Sequence, residues 1–430
     1  MCTWLAAAAV MLSSTSVMAA PPRWWAKPLD RALLQVSIAD DDARTYSTPA
    51  RPRNIAGVVS VTCERREGRP CGEGFGGFTE LDSAAGYGEH VYAFTRVRAV
   101  AGTDAYEPDL VLDRGFIRGR LGPFEAQVGR DVIAIGPAAH TRIGWGDHAP
   151  PLDHVRVEAA TGSSAVRGTA TWIVGRLDEP QTYPGNLVSI ARGQLELHGV
   201  TLGLMQLLQL GGQGAPELGL WGFVREHLTR ADASASATDS SNRRVGLDIA
   251  GDVAGARVYY ALMFEDWRDR FHDALRYDAD HLIGAQTARW TIEVLKTGVR
   301  SHEHSPRTTG LTHRGTVVGS PLGPDAVSFY ADARLSLATH QIAPWIELVR
   351  LASDSYRFEH EGPIRRISGG QDEERFRVGA RWIMPVREGL ELGAEVMYEH
   401  VEDAGFVEGA RRENLGANIT AVWHPSWTIE

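Results

Sequence analysis

The sequence predicts an all-β chain: a transmembrane antiparallel β-barrel of roughly 16–18 strands, preceded by a small N-terminal segment. Three observations predict it. Apolar residues recur with a period of two, not 3.6, along most of the chain after residue 50. The opposite, polar face of these repeats carries full charges of both signs, and tight turns such as Arg387-Glu388-Gly389 alternate with longer loops. The first twenty residues carry no charge and read as an export signal. Composition narrows the classes further. With 43% hydrophobic and 23% charged residues the chain is neither disordered nor built of membrane helices. A net charge of −10 argues against nucleic acid as a partner.

Residues 1–20 form the predicted signal peptide. The apolar run Leu5 to Leu12 leads to Val17-Met18-Ala19, a small-residue cleavage pattern, and Pro21-Pro22 breaks any helix there. Cleavage removes Cys2 and leaves Cys63 and Cys71, which bracket a polar turn-rich stretch and are candidates for a disulfide in an oxidising compartment. Residues 21–53 are expected to form a separate N-terminal segment, with room for one short helix around Pro28 to Arg44. Residues 54–430 are expected to form the barrel.

Four strands are clean. Val327, Phe329 and Ala331 alternate with Ser328, Tyr330 and Asp332, while Leu415, Ala417 and Ile419 alternate with Asn414, Gly416 and Asn418. Phe376, Val378, Ala380 and Trp382 alternate with Arg375, Arg377 and Arg381. After a short turn, Leu390, Leu392 and Ala394 alternate with Glu391, Glu395 and Glu399, so arginines face glutamates across a hairpin as structural pairs. Weaker candidates lie near 54–63, 88–99, 111–128, 167–177, 187–210, 243–266 and 283–298. Alternation favours a barrel and leaves a soluble sandwich or propeller open.

Specific residues add a resemblance. Gly129-Arg130-Asp131, Ile135-Gly136-Pro137 and the run from Gly144 to Arg156, through Ala149-Pro150-Pro151-Leu152-Asp153, resemble a stretch of the Wzi family of capsule assembly proteins. So do Gly211-Gly212-Gln213-Gly214, the strand from Asn242 to Asp248, Phe264 to Trp267 and Pro321 to Asp325, in that order. The resemblance implies an 18-stranded outer-membrane barrel with a small periplasmic N-terminal part, residues 21–53 here, that binds or anchors exported polysaccharide, is not an enzyme and uses no cofactor. The chain departs from the family at Ile135-Gly136-Pro137-Ala138, which replaces an aromatic turn. It departs again in an N-terminal part too short for the family's helical bundle, and in the absence of a terminal aromatic residue.

Sugars offer C–H faces to aromatic rings and oxygens to planar guanidinium groups. Arg142, Trp145, Asp147 and His148 supply that mixture in one segment, and Trp221, Trp267 and Arg268 in two others, so these are the candidate polysaccharide contacts. The competing place for the three tryptophans is an aromatic girdle against outer-membrane lipid. His302-Glu303-His304 with His313 could suggest a metal, but the Ser, Thr, Pro and Gly flanks read as a polar loop and no metal is assigned. Glu265, Asp266 and Asp269 around Trp267 could form a glycosidase pair, but the interleaved Arg268 and Arg270 favour a salt-bridged loop. A passive porin or export channel is the alternative function, and a secreted glycosidase a more distant one.

Overall fold

The computed structural model describes residues 23–40, 46–48, 51–55, 69, 74–103, 106–163, 165–217, 219–228, 241–265, 271–303, 307–358 and 363–429. Among them eighteen antiparallel strands close into one barrel. They are β1 Trp24–Ala39, β2 Gly74–Tyr87, β3 Val91–Gly102, β4 Asp109–Leu121, β5 Phe124–Asp131 and β6 Leu152–Gly162. There follow β7 Val166–Arg176, β8 Leu187–Leu197, β9 Val200–Leu210, β10 Asn242–Val253, β11 Ala256–Phe264 and β12 Asp280–Gln286. The last six are β13 Trp290–Lys296, β14 Ala326–Ala333 (continued by Leu335–Leu337), β15 His340–Leu351, β16 Glu373–Arg387, β17 Leu390–Glu402 and β18 Arg411–Trp423. Each strand pairs with its sequence neighbours, and β1 pairs with both β2 and β18.

The N-terminal stretch corrects the sequence reading. Residues 24–39 are the first barrel strand, where a periplasmic helix was expected around 28–44. Leu34, Val36 and Ile38 point outward and are exposed, while Gln35 and Ser37 are buried inside. The alternation is clean only after Arg31, because the register with β2 shifts between Lys27 and Arg31 around Pro28. Backbone groups in hydrocarbon must be paired within the protein, so the edges of β2 and β18 need this strand. Strands β2, β6 and β15 were also not expected as such.

Eight connections of two or three residues lie at one end of the barrel, and nine longer ones at the other. At the short end, His198-Gly199 and Ala254-Gly255 place both residues at positive φ, the two-residue turn whose twist matches a hairpin. The outward faces form an apolar belt that includes Leu112, Ile117, Val155, Leu204, Leu247, Ile283, Phe329, Val378 and Ile419, all exposed. Such a surface is stable only against lipid.

Inward faces carry charge ladders. Buried Glu80 accepts from Arg31 at 2.7 Å and Arg98 at 2.9 Å, and Arg98 continues to Asp113 at 2.8 Å. On the stretch of wall formed by β15 to β17, Arg377 bridges Glu399 at 2.7 Å and Glu347 at 3.1 Å. Glu399 also meets Arg375 at 3.4 Å, while Arg381 meets Glu395 at 3.0 Å. Glu391, near the turn, is exposed and makes no ion pair among the described residues.

Candidate functional site

The middle of the lumen is filled by two long connections, residues 132–151 and 297–325. The first runs inward from β5 and folds back on itself, with Ile135 N–H donating to Trp145 O at 2.9 Å. Its tip reaches the far wall. There the Glu293 carboxylate accepts from the backbone N–H groups of Ala139 (2.7 Å), His140 (2.6 Å) and Thr141 (2.9 Å), and from the Tyr259 hydroxyl (2.6 Å). The His140 ring stacks on Tyr330 with centroids 3.5 Å apart. Ile133, Ile143 and Trp145 join Val188, Ile190, Met205 and Leu207 of the wall and Leu311, Val318 and Leu322 of the second connection in one apolar cluster. Burial of this surface is what holds two loops inside a charged barrel.

The second connection is tied by Arg244, whose guanidinium meets Glu265 at 2.6 Å, Asp280, and the His302 ring at 2.5 Å. Complete burial, then the Arg244 charge beside it, holds the His302 imidazole well below the usual histidine range. His313 is lowered mainly by burial, its ring donating to Pro151 O at 3.1 Å and accepting from Asp178 N–H at 3.1 Å.

This arrangement separates the residues singled out in the sequence. Trp145 is 0% exposed in the apolar cluster, so it is neither a sugar platform nor a lipid anchor. A large apolar ring surrounded by loop isoleucines gains more by burial than by contact with water. Arg142 and Asp147 are partly exposed and spend their charge on each other at 3.0 Å. His148 donates from Nε2 to Val317 O at 2.7 Å, joining the two connections. Trp221 is 75% exposed on the short helix α1, Leu220–Leu228. That helix lies against the outer wall, where His227 meets Ser189 at 2.8 Å and Phe223 packs near the Trp172 ring at 6.2 Å. Trp267, Arg268, Cys63 and Cys71 lie outside the described residues.

A cluster the sequence reading passed over lies at the long-loop end. Within the connection after β15, β19 Ser355–Phe358 pairs antiparallel with β20 Ile364–Ser368 as a hairpin. Arg357 stands directly opposite Arg365, both exposed, and neither has a carboxylate partner among the described residues. On the other face Tyr356 is paired with Arg366, which Asp354 holds at 2.6 Å. The Tyr356 and Tyr277 rings lie 5.9 Å apart, and the Arg276 guanidinium sits 5.1 Å over Tyr277. Burial, reinforced by Asp325 and Asp354, raises the Tyr356 phenol, so it stays a neutral donor at physiological pH. Like charges directly opposite in a hairpin repel unless an anion comes between them. Open guanidinium groups suit the carboxylates of acidic sugars. The signal available in the sequence was three arginines, Arg357, Arg365 and Arg366, in one connection.

Comparison with known proteins fits this geometry. No curated protein sequence matches the chain. Among solved structures, the barrel is similar to Wzi of Escherichia coli, described as an outer-membrane protein involved in group 1 capsule assembly and as a carbohydrate-binding β-barrel. The two share 13% identity at a TM-score of 0.64, covering 93% of this chain and 85% of that one. It is also similar in fold to OccD3 (OpdP) of Pseudomonas aeruginosa, at 12% identity and a TM-score of 0.51, covering 95% and 96%. The family model for capsule assembly protein Wzi matches residues 48–415, nearly the whole barrel with both lumen-filling connections and the arginine hairpin. The chain therefore belongs to the Wzi family of capsule assembly proteins.

Proposed function

We propose that this protein is a non-enzymatic anchor that binds exported polysaccharide at the cell surface through its long-loop end. It is exported by a cleaved signal peptide and sits in the outer membrane with that end outward, as long loops do in such barrels. The observation that carries the reading is the Arg357–Arg365 pair, two exposed like charges held side by side next to Tyr356 and Arg366. The filled lumen supports anchoring over passive conduction. Hydrolysis lacks support, because Glu265, the described member of the acidic cluster, is buried and bound to Arg244. Arg142, Asp147 and Trp221 remain secondary candidates for glycan contact. Replacing Arg357, Arg365 and Arg366 together by Ala is expected to release capsule into the medium, while outer-membrane recovery and heat-modifiable migration stay normal. Full capsule retention by that variant would refute the hairpin as the glycan contact.

A further inference from the structure

The lumen-filling connections close the barrel towards the long loops and leave the short-turn half accessible. Inward side chains there keep contact with solvent: those of Arg118 and Arg156 are each 34% exposed, and that of Arg381 is 38% exposed. One wall of this vestibule is aromatic. Trp25, Tyr92 and Phe116 follow one another with centroids 6.1 and 5.9 Å apart, and Phe94 stacks on Phe116 at 5.5 Å. Trp25 lies flat on the barrel backbone where residue 86 is glycine; a Cβ there would meet the indole at 2.6 Å. Arg118 covers Phe116 at 5.3 Å and donates to Gln127 Oε1 at 3.0 Å.

Gln127 borders a cavity of about 190 Å³ floored by Ile133 and Ile135 and walled by Arg156, Arg192 and Gln194. Arg192 uses Nη2 on Asp248 at 2.9 Å, and Arg156 uses Nη2 on Glu158 at 2.5 Å. Arg192 Nη1 and Arg156 Nε are both buried and meet no acceptor among the described residues. The Arg192 side chain is only 9% exposed, so its orphaned donor cannot be satisfied by bulk water. Buried charged donors without acceptors are costly, and two of them on residues that line one cavity mark a place for a ligand that brings oxygens. At about 30 Å³ per water, the volume suits roughly six waters or one sugar ring, not a longer chain.

We propose that this vestibule is a second carbohydrate subsite, which takes one pyranose unit of the exported glycan from the short-turn side. The ring's C–H face rests on Ile133 and Ile135, and its oxygens accept from Arg156 and Arg192. The aromatic wall guides the neighbouring unit. The subsite rests on the polysaccharide-binding reading but lies across the plug from the Arg357 hairpin, so the two can fail separately.

The test is calorimetric titration of the full chain in detergent with methyl glucoside, galactoside, mannoside and glucuronoside. Saturable binding of at least one glycoside is expected, weakened about tenfold or more in both Arg192→Gln and Gln194→Trp. Gln194→Trp fills the cavity without stranding Asp248, so it answers the question even if Arg192→Gln misfolds. Binding of none of the four by the wild type, or unchanged binding in Gln194→Trp, overturns the subsite. Failure of the surface reading would show instead as full capsule retention in the hairpin variant, which leaves every vestibule residue in place.

Discussion

Glu293 holds the tip of the first lumen connection by four hydrogen bonds, and replacing it by Gln measures what that anchor contributes. Its Oε1 serves Ala139, His140 and Tyr259, and its Oε2 serves Thr141. With an amide oxygen in the Oε1 position, the new NH₂ group faces the Thr141 N–H, donor against donor. One buried N–H then goes unsatisfied and three bonds lose their charge assistance, a loss of about 2–4 kcal/mol in the seating of the tip. At about 1.4 kcal/mol per tenfold, local opening becomes roughly 30- to 700-fold more frequent. Hydrogen exchange of the amides at 139–141 in detergent should accelerate by that factor, and planar bilayers should show open events rare in the wild type. The barrel should remain heat-modifiable, because no strand pairing is touched. Exchange within about threefold of wild type, together with unchanged conductance, would refute the anchoring role.

Further outcomes are expected. Arg377→Ala leaves buried Glu347 without its guanidinium and Glu399 with only that of Arg375 at 3.4 Å, and should cost about 3–5 kcal/mol, read as a lowered heat-modification midpoint. Arg381→Ala removes a partner of Glu395 that is 38% exposed and should cost about 1 kcal/mol or less; equal losses in the two variants would refute the ladder's graded contribution. His302 and His313 are held neutral when folded but take protons near pH 6.5 when unfolded. The unfolded chain therefore gains protons first as pH falls, so their stabilising contribution is present above that value and lost below it. The heat-modification midpoint should fall between about pH 7.5 and about pH 5, and His302→Gln should flatten part of that slope. An unchanged slope in the variant would assign the effect to other groups.

The parts of the fold legible in the sequence were those where side-chain alternation is unbroken. Residues 376–384 and 390–398 show it, and Arg377 does lie over Glu399. Strand β1 was less legible because Pro28 and the charged Asp30-Arg31 interrupt the pattern at the register shift, leaving only Leu33 to Ile38 to signal it. Strand β2 hides behind Gly74, Gly76 and Gly77, which give a face no hydropathy. The plug was illegible for a different reason. Ile133, Ile135, Ile143 and Trp145 follow neither period, and only the opposing wall tells whether such a loop turns inward. Trp145 and Trp221 look alike in composition, yet one is enclosed and the other exposed on a helix outside the wall.

The pairing of β1 with β18 has a consequence for how the molecule can be made. Every other adjacency in the barrel joins neighbours in sequence, but this one joins Leu34 to Ala421 across nearly the whole chain. Local hairpins can form as the polypeptide emerges, whereas this seam must wait for the last strand to arrive. Until then β1 and the growing edge each expose unpaired N–H and C=O groups, a form prone to joining other copies. The final thirteen-residue strand is thus the latch of the whole assembly. A chain shortened by that one strand would be left as an open, sticky sheet and not as a slightly smaller barrel.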